Sequence, residues 1–320
     1  MNIGTLTPTY QGSVASSPVA DDRLVVLDTD VLHDPDDAIT LVVAARTIRR
    51  LVVVTADEIC TPGGGGWRAR GARAMLDALG RPDVPVITGF GTGGYRLAMD
   101  YETLMWLPSP PMIDLVDTIV GLCAQESEPL RWIGCGPLTN LAEILTTAPH
   151  VAERIELVQM GGWLDPARYR DPSRASHNLR VDPRSAGVVL RMCRRPRLVL
   201  SEHTGVPALR VTPDWLLYQR LTAPDAPQWA RLPAANFAIW CRSRSGSWMH
   251  DPLTLTAALD LGFVTFRDER ILVGEDGRLS CDPDGHVVQV SAEVDYTGFV
   301  GWLEGVTATT AQPETASAGR

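Results

Sequence analysis

Lysine is absent from this 320-residue chain, so every one of its 29 basic side chains is arginine. A P-loop, a Schiff-base enzyme and a lysine general base each require that amine, and all three are excluded. Negative charge dominates: 38 acidic residues leave a formal net charge of -9. That balance argues against a nucleic-acid partner gripped through its phosphates.

Cysteine is thinly used. Cys60, Cys123, Cys135, Cys193, Cys241 and Cys281 form no C-x-x-C pair, which points away from zinc and from a disulfide framework, and towards a reducing cytoplasm. Residues 1–20 lack a basic start followed by an apolar run, and no apolar stretch is long enough to span a membrane. Neither export nor a membrane partner is expected. Both ends, 1–20 and 307–320, are rich in Ser, Thr, Ala, Gly and Pro and poor in apolar residues. They are expected to be disordered tails around a single domain over 21–306.

Within that domain, apolar runs alternate with helical spacing. RLVVLDTD at 23–30 reads as a strand and DDAITLVVAARTI as a helix; LVVVT at 51–55 is a buried strand. After the loop TPGGGG, a helix is expected over 66–79 and a third strand at VPVITG. The alternation continues with a helix near 112–125, the strand 130–135, the helix PLTNLAEILTT, the strand RIELVQM and the helix DPRSAGVVLRM. The pattern predicts an α/β protein with a Rossmann-like, mostly parallel sheet flanked by helices. Helices follow at about 213–245 and 252–260, and the strands RILVGE and HVVQVSAEV flank the turn EDGRLSCDPDG as a small antiparallel extension. VDYTGFVGWLEGV reads as a closing helix.

The densest chemical signal is VVLDTDVLHDPDDA, with Asp28, Asp30, Asp34, Asp36 and Asp37 inside ten residues. Helix capping accounts for part of it: Asp34 as N-cap, Pro35 as first helical residue, and Asp36 with Asp37 at the positive end of the dipole. Capping leaves Asp28 and Asp30 unexplained. They leave the carboxyl end of a buried strand, where open α/β sheets place ligands. A hard cation would neutralise the group, and oxygen-only donors suit calcium or magnesium. MHDPLTLTAAL at 249–259 repeats the grammar, with Asp251 as an N-cap before Pro252 and His250 just outside. Asp182 before Pro183 reads as a cap too.

Together these segments resemble the inosine-uridine-preferring nucleoside hydrolase family, in order over nearly the whole domain. The family's opening Asp-x-Asp-Pro-Gly-x-Asp-Asp-Ala matches VLDTDVLHDPDDA with two extra residues. Its Gly-x-Leu-Thr-Asn turn matches Cys135 to Asn140, and its Met-Gly-Gly matches Met160-Gly161-Gly162. Its Asn-x-x-x-Asp-Pro matches Asn178 to Pro183, and its His-Asp-Pro matches His250-Asp251-Pro252.

The resemblance implies one calcium ion per subunit, held by Asp30, Asp37, Asp251 and the backbone carbonyl of Cys135. It implies Asp36 as the general base that takes a proton from water, and hydrolysis of a ribonucleoside or modified N-riboside to base and ribose. By the same resemblance Asp36, Met160, Asn178, Ser176, His177, Asp57, Glu58 and Trp248 would contact substrate, and the chain would form a homodimer or homotetramer. The stretch TGFGTGGYRLAMDYETLMW lacks the histidine that the family carries there, which leaves His250 as the candidate acid for the leaving base. Trp106, Trp163 and Trp248 could stack on it. Ser176 stands where the family has a glutamate, with His177 beside it, and Asp57 or Glu58 replaces an asparagine. These positions face the sugar, including its 5′ side, so an altered or extended sugar end is expected. Two other readings stay open: a calcium-containing nucleoside-binding relative without catalysis, and a haloacid-dehalogenase-like phosphatase, whose signature VVLDTDVL also fits.

Overall fold

Two runs of five residues, Val25–Thr29 (β1) and Leu51–Thr55 (β2), are buried along their whole length. β-Branched side chains covered on both faces favour a parallel strand at the centre of a sheet. In the computed structural model, which describes residues 22–59, 66–93 and 97–308, these two strands pair in parallel register. The chain continues through Pro35–Thr47 (α1), Trp67–Ala78 (α2), Val86–Thr88 (β3), Tyr101–Met105 (α3), Leu115–Gln125 (α4) and Leu130–Gly134 (β4). Thr139–Thr147 (α5), Ile155–Met160 (β5), His177–Val181 (α6), Pro183–Met192 (α7), Arg197–Val199 (β6) and Ser201–Thr204 (α8) follow. Arg210–Val211 (β7) and Ser247–Trp248 (β8) pair as a separate two-stranded sheet, with Leu216–Thr222 (α9) and Arg231–Trp240 (α10) between them. His250–Ala258 (α11), Val264–Val273 (β9), Leu279–Cys281 (β10), His286–Val294 (β11) and Tyr296–Thr307 (α12) complete the element order.

Nine strands form one sheet in the order β10-β9-β11-β6-β5-β4-β1-β2-β3. From β3 to β6, and from β6 to β11, neighbours are parallel; β9 runs antiparallel to both β10 and β11. The winding reverses between β1 and β4, which puts a crevice at their carboxyl ends. Helices cover both faces. One core includes Leu27, Leu41, Met75, Phe237 and Phe299, and the other Val26, Trp132, Leu145, Leu190 and Val290.

The α/β reading and its antiparallel extension hold, with local differences. β6 was not anticipated: its three residues, Arg197–Val199, are too few to show a period. The expected turn EDGRLSCDPDG contains β10, because Leu279 is buried and pairs with Val273. The helical segments expected at about 213–245 are α9, a 3-10 turn at Gln228–Ala230 and α10, with Pro224 and Pro227 between α9 and the turn. Asp182 does cap α7, accepting from the Ser185 amide at 3.0 Å. Asp34 takes the N-cap position of α1 but makes no side-chain cap bond; the Ser247 hydroxyl donates to it instead. Asp251 lies inside the first turn of α11, because that helix begins at His250. Cys60, most of TPGGGG and residues 1–20 lie outside the described residues, as does the second tail except Thr307, which ends α12, and Ala308.

Arg68 on α2 is fully buried and ties the end of β1 to the loop after β2. Its guanidinium donates to the carbonyls of Asp30, Val31 (2.9 Å) and Asp57 (2.9 Å), and lies 3.5 Å from the Asp57 carboxylate. Removing the cation strands a buried carboxylate and three carbonyls. Arg68→Met should therefore lower unfolding free energy by about 3–5 kcal/mol, measured by urea denaturation. A loss below 1 kcal/mol, about that of an exposed pair, would show that the network is not what holds the loop.

Candidate metal centre and active site

The crevice between β1 and β4 opens into a cavity of about 290 Å³. Its floor is acidic. One ligand oxygen each from Asp36, Asp37 and Asp251 lies within 4.8 Å of the others, and all three side chains are buried. Asp36 and Asp37 come from the first turn of α1, where α1 starts under the end of β1. Asp251 comes from the first turn of α11, more than 200 residues later, and its backbone N–H donates to Asp36 Oδ2 at 3.2 Å. The Thr29 hydroxyl donates to Asp37.

Burial pushes the carboxyls of Asp36, Asp37 and Asp251 well above the usual range, and the neighbouring Asp charges push them further. Asp30 lines the same floor. Burial would raise it too, but the hydrogen bond from His177 and the charges of Arg68 and His177 hold it below the usual range. His177 Nε2 is 3.5 Å from Asp30 Oδ2. Burial and the charge of Asp30 push Asp28 up to about 8; its carboxylate accepts from Asn140 Nδ2 at 2.8 Å beneath the cavity.

Cys135, which follows β4, also lines this space; its carbonyl accepts from Asn178 Nδ2 at 2.7 Å and keeps a second lone pair. Glycine is required at 136, where a Cβ would lie 2.6 Å from that of Ala56. The clustered carboxylates of Asp36, Asp37 and Asp251 are oxygen donors that repel one another, and they fit a hard divalent cation such as calcium.

Of the other residues expected at the site, Met160, His177, Asn178 and His250 line the cavity. His250 Nδ1 is 2.6 Å from the Thr204 hydroxyl, and burial, with the charge of Arg170, pushes its pKa down to about 3. Ser176 does not line it: its hydroxyl accepts from the Gly162 amide at 2.6 Å. Asp57 and Glu58 are also outside the lining. Glu58 accepts from the amides of Arg68 (2.9 Å) and Ala69 (3.1 Å), anchoring the start of α2, and Asp57 is bound to Arg68 and Thr92. Trp248 stacks behind His250 at 6.5 Å, Trp163 stacks on Tyr169, and Trp106 is 84% exposed.

Several lining residues were not foreseen: His33, Tyr169, Arg170, Arg174, Arg180, Trp240 and Arg244. His33 comes from the Val31-Leu32-His33 stretch, where Val31 and Leu32 are buried and the imidazole stacks on His177 with centroids 5.2 Å apart. The two extra residues in the opening motif were its only signal.

A model of the inosine-uridine preferring nucleoside hydrolase family matches residues 25–301. A pyrimidine-specific ribonucleoside hydrolase of Shewanella woodyi is 30% identical over 182 residues, 53% of this chain and 57% of that protein. The chain thus spans little more than half the length of that curated relative. Its fold is similar to a plant nucleoside hydrolase (TM-score 0.74, 20% identity, covering 90% of this chain and 100% of that one). A second similar structure is an inosine-uridine preferring nucleoside hydrolase of Bacillus anthracis (TM-score 0.70, 17% identity, 89% and 99% covered).

A pH signature follows from the raised carboxyls. Between their ordinary value of 3.8 and their raised folded values, the folded protein binds more protons than the unfolded chain. Without a divalent cation these groups make stability fall as pH rises through that window. Calcium competes with the protons, so its stabilisation should grow with pH. Thermal melts at pH 5 and 8, with calcium and with a chelator, should show a larger calcium-induced rise in Tm at pH 8. Equal rises would count against these carboxylates as the calcium site.

Proposed function

Because this chain belongs to the inosine-uridine preferring nucleoside hydrolase family, we propose that it hydrolyses the N-glycosidic bond of a ribonucleoside or modified N-riboside, releasing free base and sugar. The observation that carries this reading is the meeting of Asp36 and Asp37 with Asp251 on the floor of one cavity. Asp30, Asp37, Asp251 and the Cys135 carbonyl would hold calcium. When bound, the ion supplies positive charge that offsets carboxylate repulsion, and it makes a nearby water more acidic.

Asp36 is the base. Its Oδ2 sits against the Asp251 amide, and it accepts the proton that the attacking water gives up. Asn178 spends its Nδ2 on the Cys135 and Met160 carbonyls, which leaves its Oδ1 for a sugar hydroxyl. As the bond to the base lengthens, positive charge grows on the sugar, and the anionic floor stabilises it. His250 is neutral at physiological pH, so it would serve the departing base as a neutral hydrogen-bond donor, its Nδ1 steadied by Thr204.

The retained carboxylate at Asp36 favours hydrolysis over a purely binding role, since a binder has no use for a base there. The phosphatase alternative leaves the match over residues 25–301 unexplained.

A panel of purine, pyrimidine and modified nucleosides, assayed for reducing sugar with calcium present, should show release from at least one member. Calcium bound but no release from any would favour the non-catalytic reading. Asp36→Ala should lower kcat by at least about a hundredfold while calcium still binds, whereas Asp251→Ala should lose both. Near-normal turnover in Asp36→Ala would mean that another group is the base.

A further inference from the structure

The rim of the cavity carries the charge opposite to its floor. Arg170, Arg174, Arg180 and Arg244 all line it. The segment 169–180 contributes three of the four to the lining and no acidic residue. Arg174 is paired with Asp171 at 2.8 Å. Arg170 and Arg244 differ: among the described residues, neither has a carboxylate within ion-pair distance, although the charge of Arg244 acts on Asp34 in the same lining.

Instead, each of these two lies on an aromatic face. The Arg170 guanidinium carbon is 4.0 Å from the centre of the Trp248 ring, and that of Arg244 is 3.7 Å from the centre of Trp240. Stacking holds a guanidinium flat and leaves its N–H edge turned outward. Trp248 stacks in turn on His250, next to Asp251. Trp240 meets His33 edge-on at 5.5 Å, and His33 stacks on His177, which reaches Asp30. The two guanidiniums thus stand on separate walls, each linked to the acidic floor through aromatic and histidine rings.

A neutral nucleoside offers such cations only uncharged acceptors, the base carbonyls, ring nitrogens and sugar oxygens. A phosphate presents oxygen pairs that match the guanidinium fork, in charge-assisted hydrogen bonds about twice as strong as neutral ones. Phosphate on the sugar hydroxyls that face the floor would meet the aspartates. Phosphate on the sugar carbon pointing to the rim would meet arginine.

We propose that the N-riboside this cavity accepts is phosphorylated at the rim end of its sugar, as in a nucleoside 5′-phosphate. The proposal rests on the N-ribosidase reading for the sugar's orientation and adds the anion to it. Arg170 and Arg244 are specificity-determining residues that bind the phosphate, and they exchange no proton with the substrate.

The test is calorimetric titration of the calcium-loaded protein with ribose, ribose 5-phosphate and inorganic phosphate, none of which requires turnover. Ribose 5-phosphate should bind at least about tenfold more tightly than ribose, and more tightly than inorganic phosphate. Arg170→Gln and Arg244→Gln should each shrink that ratio severalfold. Equal binding of the two sugars, or inorganic phosphate as tight as the sugar phosphate, would overturn the proposal. Base release from a nucleoside and its 5′-phosphate separates the two ideas. Release with no preference for the phosphate form refutes the anion site and leaves hydrolysis intact; tight ribose 5-phosphate binding without release from either compound does the reverse.

Discussion

Four carboxylates, Asp30, Asp36, Asp37 and Asp251, line one cavity floor and are almost wholly withdrawn from water. Like charges packed in this way oppose folding unless protons or a cation neutralise them. The rest of the structure is arranged around holding them there. β1 ends at the floor, α1 begins on it, and α11 returns to it from the far end of the chain. A carboxylate cluster that could hold a cation is made possible here by the sheet's reversal of winding, where the loops after β1 and β4 part.

The supporting shell is polar and buried. Arg68 binds the carbonyls of Asp30 and Val31, Glu58 caps the helix that carries Arg68, and Asn140 joins Asp28 to the Phe90 amide at 2.7 Å. None of these side chains faces the cavity. They fix the geometry of those that do, and a buried hydrogen-bonded network of this kind resists the repulsion at its centre. This is also why Asp57 and Glu58, adjacent in sequence to a strand end, do not reach the cavity: their oxygens are committed to α2 and Thr92.

The cavity is polarised from floor to mouth, with carboxylates inside and guanidiniums at the rim, some of them stacked on tryptophan. In a chain without lysine, arginine is the only permanent cation that can play this part. Its planar fork suits it to stacking and to paired acceptors in a way that an ammonium does not share.

The sequence by itself determined the layered α/β architecture, because β1 and β2 open on apolar, mostly β-branched runs and the intervening segments carry helical spacing. It also marked Asp30, Asp36, Asp37 and Asp251, because acids clustered at a strand end or beside a Pro-led helix start are locally costly and stand out. Only the tertiary structure decided which side chains face the cavity. Ser176, Asp57 and Glu58 turned away into hydrogen bonds with nearby backbone, while His33, Trp240, Arg170 and Arg244 turned in. A residue's type and its neighbours in the chain set its chemistry, but the direction of its side chain depends on how segments pack in the fold, which no local hydropathy pattern encodes.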